Sequence, residues 1–379
     1  MLCAGCATGA RITRLDGSSI AAAQIDATVE RLMRAAEVPG VGIAIFEHGE
    51  PVYLRAYGAR DQARRLPLTV GSVMTAASLS KAAFAVLVMQ LVDAHRLELD
   101  RPIRDYLPGP LAEYPKYTDL AGDARADKLT ARMLLDHTSG FANWRAFEDD
   151  RKLAFHFEPG TRFAYSGEGI ALLQLVVETI MQAPLDQLMD ARVFGPLGMT
   201  RTSMVWQPRF EADHADAYDE YGRALGPQRR KRPDAAGGMQ TTLADYARLV
   251  AAVMQSRGLR PQTRDQMLSP QIRIDSAHQF PTLDTETTDA NRAIELSYGL
   301  GWGVYRTPGG KAFFKEGHDD GWRHYAVGFD DGTGLLIMTN SSNGEGIYQA
   351  LLETLLAIKL TPIEWEGFTP YDQLPPRPR

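Results

Sequence analysis

The chain has 379 residues and a net charge of −6, with 44% apolar and 23% charged residues. That length exceeds one small module and suits a large domain or two intimate ones, and the apolar share allows a sizeable core rather than a disordered chain. The acidic balance argues against a nucleic-acid surface, no run of about eighteen apolar residues is present to form a membrane-crossing helix, and the two cysteines, Cys3 and Cys6, leave the rest of the chain with neither a disulfide nor a thiolate site.

At the start, Leu2-Cys3-Ala4-Gly5-Cys6-Ala7-Thr8-Gly9 resembles the end of a bacterial lipoprotein signal, without the charged and apolar regions that precede such a cysteine. On that reading Cys6 is a lipid anchor and the protein a periplasmic or envelope lipoprotein, made with a longer N-terminus; otherwise it is cytoplasmic. Residues 20–37 have amphipathic helical spacing and end at Val38-Pro39-Gly40. Val41–Phe46 is apolar and β-branched, His48-Gly49-Glu50 is turn-like, and Val52–Gly58 follows, which predicts a hairpin. Residues 79–93 predict a helix apolar on all sides, hence buried.

The middle, about 106–270, reads as helical, with apolar spacing over 169–182, 185–193 and 243–256. Strands return at Leu300–Arg306 and Lys311–Gly317 around Thr307-Pro308-Gly309-Gly310, and at Tyr325–Phe329 and Leu335–Thr339 around a second turn, before a closing helix at 346–360. The expected fold is α+β: one antiparallel sheet built from both chain ends, flanked by helices, with a large helical insertion. The expected divisions are a tail at 1–19, a sheet domain of 20–105 plus 290–368, a mainly helical domain at 106–289, and a loose Pro- and Arg-rich tail at 369–379.

Ser78-Leu79-Ser80-Lys81 carries the first chemical signal. Residues i and i+3 share a helix face, so Lys81 reaches the Ser78 hydroxyl. A serine becomes nucleophilic when a base takes its proton, and lysine is such a base once burial or a second cation lowers its pKa. Ser78 at a helix start also lies beside free backbone N–H groups and the positive dipole end. The same two residues also fit a helix-capping serine and a snorkelling lysine.

Further on come Phe163-Ala164-Tyr165-Ser166-Gly167 and Phe314-Lys315-Glu316-Gly317. With these the chain resembles the serine β-lactamase and penicillin-recognising hydrolase superfamily, in the branch of class C β-lactamases, DD-carboxypeptidases and related esterases. That superfamily carries S-x-x-K, Y-x-N and K-x-G or H-x-G in this order. Leu134–Gly140, Pro196–Met199, Ala236–Met239 and Tyr298–Trp302 match the branch too, so the resemblance spans about 20–360.

The resemblance implies a β-lactamase/transpeptidase-like fold and an acyl-enzyme mechanism with no metal or organic cofactor. Ser78 is the expected nucleophile. Lys81 and Tyr165 move the proton, with Tyr165 either a phenolate base or a relay. Lys315 supplies positive charge that lowers the pKa of both, and the Ser78 and His318 amides form the oxyanion hole. Gly167, Glu316 and Gly317 face a small-molecule or peptide substrate.

Two departures bear on that substrate. Gly167 stands where the family has the Asn that binds the substrate amide. Glu316 stands where penicillin-recognising members have Thr or Ser to hold the substrate carboxylate, and its charge repels that group unless Lys315 or Arg323 neutralises it. Both point to an esterase or peptidase rather than an efficient β-lactamase. The alternative is a non-catalytic binding or sensor member that holds envelope peptides or acyl ligands. A minor reading makes His318, Asp319, Asp320 and His324 a metal site. His137 is expected to be structural, Ser166 lacks the nucleophile-elbow context, and Arg229–Arg232 is read as a solvated basic loop.

Overall fold

In the computed structural model, which describes residues 11–373, the two chain ends supply the sheet and the middle supplies most of the helices. Cys3 and Cys6, and with them the lipid-anchor expectation, lie outside the described residues. The chain opens with β1 (Arg11–Thr13) paired to β2 (Ser19–Ala21), which leads into α1 (Ala22–Ala35). Within the expected tail at 1–19, Ile12 is buried in the core, in a strand too short to show a periodicity. In α1, Ile25, Val29, Leu32 and Met33 form one buried stripe. Then come β3 (Gly40–Glu47) and β4 (Glu50–Asp61), joined at His48 and Gly49, both at positive φ, the two-residue turn whose twist matches a hairpin.

After β5 (Leu66–Pro67) and β6 (Val73–Thr75), α2 (Leu79–Asp93) runs through the centre, nearly all of it buried. The middle carries α3 (Ala131–Leu135), α4 (Gly167–Met181), α5 (Leu185–Met189), β7 (Gln240–Thr242), α6 (Leu243–Met254), α7 (Pro261–Met267) and β8 (Ile272–Arg273). The last part carries β9 (Ser297–Tyr298), β10 (Gly303–Thr307), β11 (Gly310–Asp319), β12 (Trp322–Phe329), β13 (Gly334–Thr339) and α8 (Tyr348–Leu356).

Nine strands form one antiparallel sheet in the order β5-β4-β3-β13-β12-β11-β10-β9-β8, so the N-terminal hairpin closes directly on the last strand. Alternation divides the side chains between two cores. Val41, Ile43, Ile45, Leu335, Ile337, Tyr325 and Val327 face α1 and α8. Ala44, Phe46, Leu336, Met338, Ala326 and Phe313 face α2 and the middle. The helical segment is less purely helical than expected: β8 extends the sheet through β9, and β7 pairs with β6 beside α2. The C-terminal tail is docked where it begins, since the Tyr371 N–H donates to the Gly346 carbonyl at 3.0 Å and Phe368 is buried. Among the described residues no helix is long and apolar enough to cross a membrane.

Candidate active site

Ser78 sits at the N-cap of α2 and makes no side-chain capping bond, so its hydroxyl is free for chemistry. The preceding residue, Ala77, has φ +49, a left-handed conformation that costs a non-glycine residue about 1 kcal/mol or more. Two bonds hold that turn in place: the Ala76 N–H donates to the Met239 carbonyl at 2.8 Å, and Ser80 Oγ donates to the Ala77 carbonyl at 2.6 Å. Met239 N in turn donates to Ser80 Oγ at 3.1 Å, so the Ala236–Met239 motif clamps the start of α2.

Lys81 is fully buried one turn along, its Nζ 2.9 Å from Ser78 Oγ and donating to the Ala236 carbonyl at 2.6 Å. Burial, and then the charge of Lys315, lower its pKa to about 7. A neutral amine keeps two N–H groups and one lone pair. Lys81 can therefore donate to Ala236 and still accept the Ser78 proton.

Tyr165 precedes α4, and its neighbours fix it. The Ala164 N–H donates to the His137 carbonyl at 2.8 Å, and the Ser166 N–H donates to His137 Nδ1 at 3.1 Å. Ser166 is fully buried: its Oγ accepts from Gly169 N at 3.0 Å, capping α4, and donates to the Ala142 carbonyl at 2.9 Å. His137 is buried against the Tyr165 ring, with centroids 4.3 Å apart, and burial, then the Lys81 and Lys315 charges, hold its pKa well below the ordinary value.

Lys315 points from β11 toward α2 and donates to Tyr165 Oη at 3.0 Å. It is also paired to Glu316 Oε1 at 2.5 Å, and both side chains are buried. Gln279 Nε2 donates to the same carboxylate oxygen at 3.2 Å. One expectation is corrected here. Lys315 does help depress Lys81, but the Tyr165 pKa is raised well above its ordinary value, by burial and then by the Glu316 charge, with the Ser78 hydrogen bond only partly opposing them. Of the two cations offered for Glu316, Lys315 neutralises it, while Arg323 is spent on Glu345 at 2.6 Å.

The pairing of β10 with β11 ends at Gly303↔Phe314, which among the described residues leaves Lys315–Asp319 with no strand on that side. His318 thus lies on a free edge beside α2. Gly317 passes so close to the Ser78 turn that a Cβ there would lie 2.8 Å from the Ala76 carbonyl oxygen. Gly167 has a different reason to be glycine: a Cβ would lie 2.4 Å from Trp144 Cζ2. Trp144, Phe280 and Gln279 are site residues that motif reading missed. Phe280, 45% exposed, meets the Tyr165 ring edge-on at 5.8 Å. Only the missing side chain at 167 hinted that something else must fill the space.

The other candidates separate. His318 Nδ1 is 3.4 Å from Glu345, whereas His324 turns inward to the Thr75 carbonyl at 2.8 Å, and among the described residues no group of three or more His, Cys, Asp or Glu converges as a metal site. The basic run is half engaged: Arg229 pairs with Glu211 at 2.7 Å, Arg230 lies 3.6 Å from Asp319, and Lys231 and Arg232 are exposed.

A serine with a buried lysine at its oxygen, and a tyrosine and second lysine alongside, defines a serine hydrolase on a β-lactamase/transpeptidase-like fold. The family model described as Beta-lactamase matches residues 25–357, and the chain belongs to that family. It is 28% identical to "Esterase EstB" of Burkholderia gladioli over 66% of this chain and 74% of that one. It is 26% identical to "Penicillin-binding protein 4" of Amycolatopsis lactamdurans over 84% and 85%. Among solved structures, the octameric penicillin-binding protein homologue from Pyrococcus abyssi superposes with a TM-score of 0.70 at 21% identity, covering 89% of this chain and 79% of that one. The D-alanine carboxypeptidase AmpC from Burkholderia cenocepacia gives 0.68 at 22%, covering 85% and 95%. At those identities the two structures speak to the fold alone.

Proposed function

We propose that this chain is an esterase that cleaves small, uncharged carboxylic esters through an acyl-enzyme on Ser78. The observation that carries this reading is the pairing of Lys315 with Glu316 beside a Lys81 whose pKa is brought down to about 7, so that a free-base fraction is present near neutral pH. The first removes the spare positive charge that would hold a substrate carboxylate; the second keeps the nucleophile active.

In this reading neutral Lys81 takes the Ser78 proton as the hydroxyl oxygen attacks the ester carbonyl. The oxyanion is held by the amides of Ser78 and His318 at the helix start and the free edge of β11. Tyr165, a neutral phenol, relays a proton toward the leaving alkoxide. Water then adds to the acyl-enzyme by the same route, releasing the acid and Ser78. An alkoxide departs more readily than an amide nitrogen, which must first be protonated, so loss of an amide-binding Asn at 167 weighs less on ester cleavage than on amide cleavage. Similarity to an esterase adds to this reading.

The test is hydrolysis of p-nitrophenyl butyrate by wild type and Ser78→Ala. Expected is wild-type turnover lost by at least about 10³-fold in the variant, with the thermal midpoint changed little because Ser78 makes no cap bond and gives up only its contact with Lys81. Equal rates in the two proteins would remove Ser78 as nucleophile. An inert wild type that cleaves penicillins or D-alanyl peptides instead would replace the esterase reading.

A further inference from the structure

Next to the reacting groups, the position that a side chain at residue 167 would occupy is taken by an indole. A Cβ on Gly167 would lie 2.4, 2.5 and 2.8 Å from Trp144 Cζ2, Cη2 and Cε2, well inside van der Waals contact, so the benzo edge of Trp144 lies directly on the glycine backbone. The same ring faces Lys81 Nζ at 5.8 Å from its centroid, and that amine lies 4.9 Å from the Tyr165 centroid. The indole is partly exposed and packs against the core around α2, so one part of it is held by the core while another stays accessible beside the reacting groups.

The loop that carries it is fastened on both sides. Before it, the Asn143 carbonyl accepts from Gly167 N at 3.0 Å and Glu168 N at 3.1 Å, and Asn143 Oδ1 accepts from Gly167 N at 2.9 Å. After it, Arg145 makes a two-pronged pair with Glu168, at 3.0 and 2.8 Å, where Glu168 is buried. Trp144 is thus positioned by the first turn of α4, the turn that also fixes Tyr165. A rigid aromatic plate costs little entropy to hold and favours apolar groups laid against it. It lacks the carbonyl and amino pair by which an amide side chain would grip a substrate amide.

We propose that Trp144 determines acyl specificity: by filling the space left at Gly167 it selects substrates with an apolar acyl chain and rejects those with an acylamino group beside the reacting carbonyl. This rests on the acyl-enzyme reading above and names the substrate class for that site.

Boronic acids test it without turnover. Boron accepts a lone pair from Ser78 Oγ, a B–O bond forms, the serine proton passes to Lys81, and nothing is oxidised. Dissociation constants for butylboronic acid and acetamidomethylboronic acid are measured by calorimetry on the full chain. Wild type is expected to prefer the butyl probe by about tenfold or more. The preference should fall to near unity in Trp144→Ala and reverse in Trp144→Ala/Gly167→Asn. Trp144→Phe should keep it, and Trp144→Gln, which puts an amide in the indole's place, should favour the acetamido probe even if the alanine variant fails to fold. A ratio within twofold of wild type in a folded Ala or Gln variant overturns the proposal, as does a wild type that prefers the acetamido probe. A wild type that shows the butyl preference but cleaves no ester would end the esterase reading and leave this one standing; a wild type that cleaves the ester but binds neither boronate would overturn this one and leave the esterase reading standing.

Discussion

Lys315 Nζ lies 2.5 Å from Glu316 Oε1 and 3.0 Å from Tyr165 Oη, so one buried ammonium serves a carboxylate and a phenol at once. The two residues are neighbours on β11 whose side chains leave opposite faces of the sheet and meet around its unpaired edge. Glu316→Thr should release Lys315 for an incoming carboxylate. The expected result is a rise of about tenfold in kcat/KM for cephalosporins or penicillins, with uncharged esters little affected. Steady-state kinetics on both substrate classes checks this, and no gain on carboxylate substrates would show that the pair does not set charge preference.

Glu316 also holds the Tyr165 pKa up, together with burial. A neutral phenol cannot be the resting base, which leaves Lys81, whose pKa is brought down to about 7. Acylation needs its deprotonated form, so kcat/KM for an uncharged ester should climb as pH rises through about 7 and level off above it. Lys81→Ala should lose roughly 10²-fold or more on the plateau. A profile of the same shape and height in that variant would remove Lys81 as base.

The same burial has a thermodynamic signature. Unfolded Lys81 returns toward 10.5, so between about 7 and 10.5 the unfolded chain binds more protons than the folded one, and this group's penalty shrinks as pH rises. Below pH 7 the penalty is complete. Lys81→Met should therefore be more stable than wild type by on the order of 2 kcal/mol at pH 6, after the lost bond to the Ala236 carbonyl is set against the removed charge. The advantage should shrink toward pH 10. Denaturant titrations of both proteins at the two pH values read the difference, and a variant less stable than wild type at pH 6 would contradict it.

The parts of this molecule that sequence reading reached are those in which one residue type answers one local demand. α2 was legible end to end because fifteen residues without a polar face have nowhere to go but inside. The β3–β4 hairpin was legible from two β-branched runs around His48-Gly49. Ser78, Lys81, Tyr165 and Lys315 stood in ordered motifs, and the fold brings them together. Trp144 and Gln279 were invisible because their importance comes from contacts across the chain, to Gly167 and Glu316, that no spacing rule records. The upward direction of the Tyr165 pKa is hidden in the sequence for the same reason: burial and the Glu316 charge set it, and both are properties of the folded chain. Strands β1, β7 and β8 are too short for any period to register.

Gly317 offers the sharpest test of how the oxyanion site is built. A methyl group there would meet the Ala76 carbonyl oxygen at 2.8 Å, Leu79 Cγ at 3.1 Å and His324 Cδ2 at 3.2 Å. The backbone oxygen cannot swing aside, because Ala76 is tied to Met239 two residues before the nucleophile. Gly317→Ala must therefore push β11 away from the start of α2, and His318 N moves with it. If that amide and Ser78 N share the developing negative charge, displacement by a fraction of an ångström weakens a bond that acts mainly in the transition state. The expected outcome is a fall of about 10²-fold in kcat with KM changed far less, and a stability loss of roughly 1–3 kcal/mol from overpacking. Kinetics and thermal melts on one preparation separate the two effects. Unchanged kcat in a destabilised protein would mean that the strand edge does not hold the oxyanion, and would take His318 out of the mechanism.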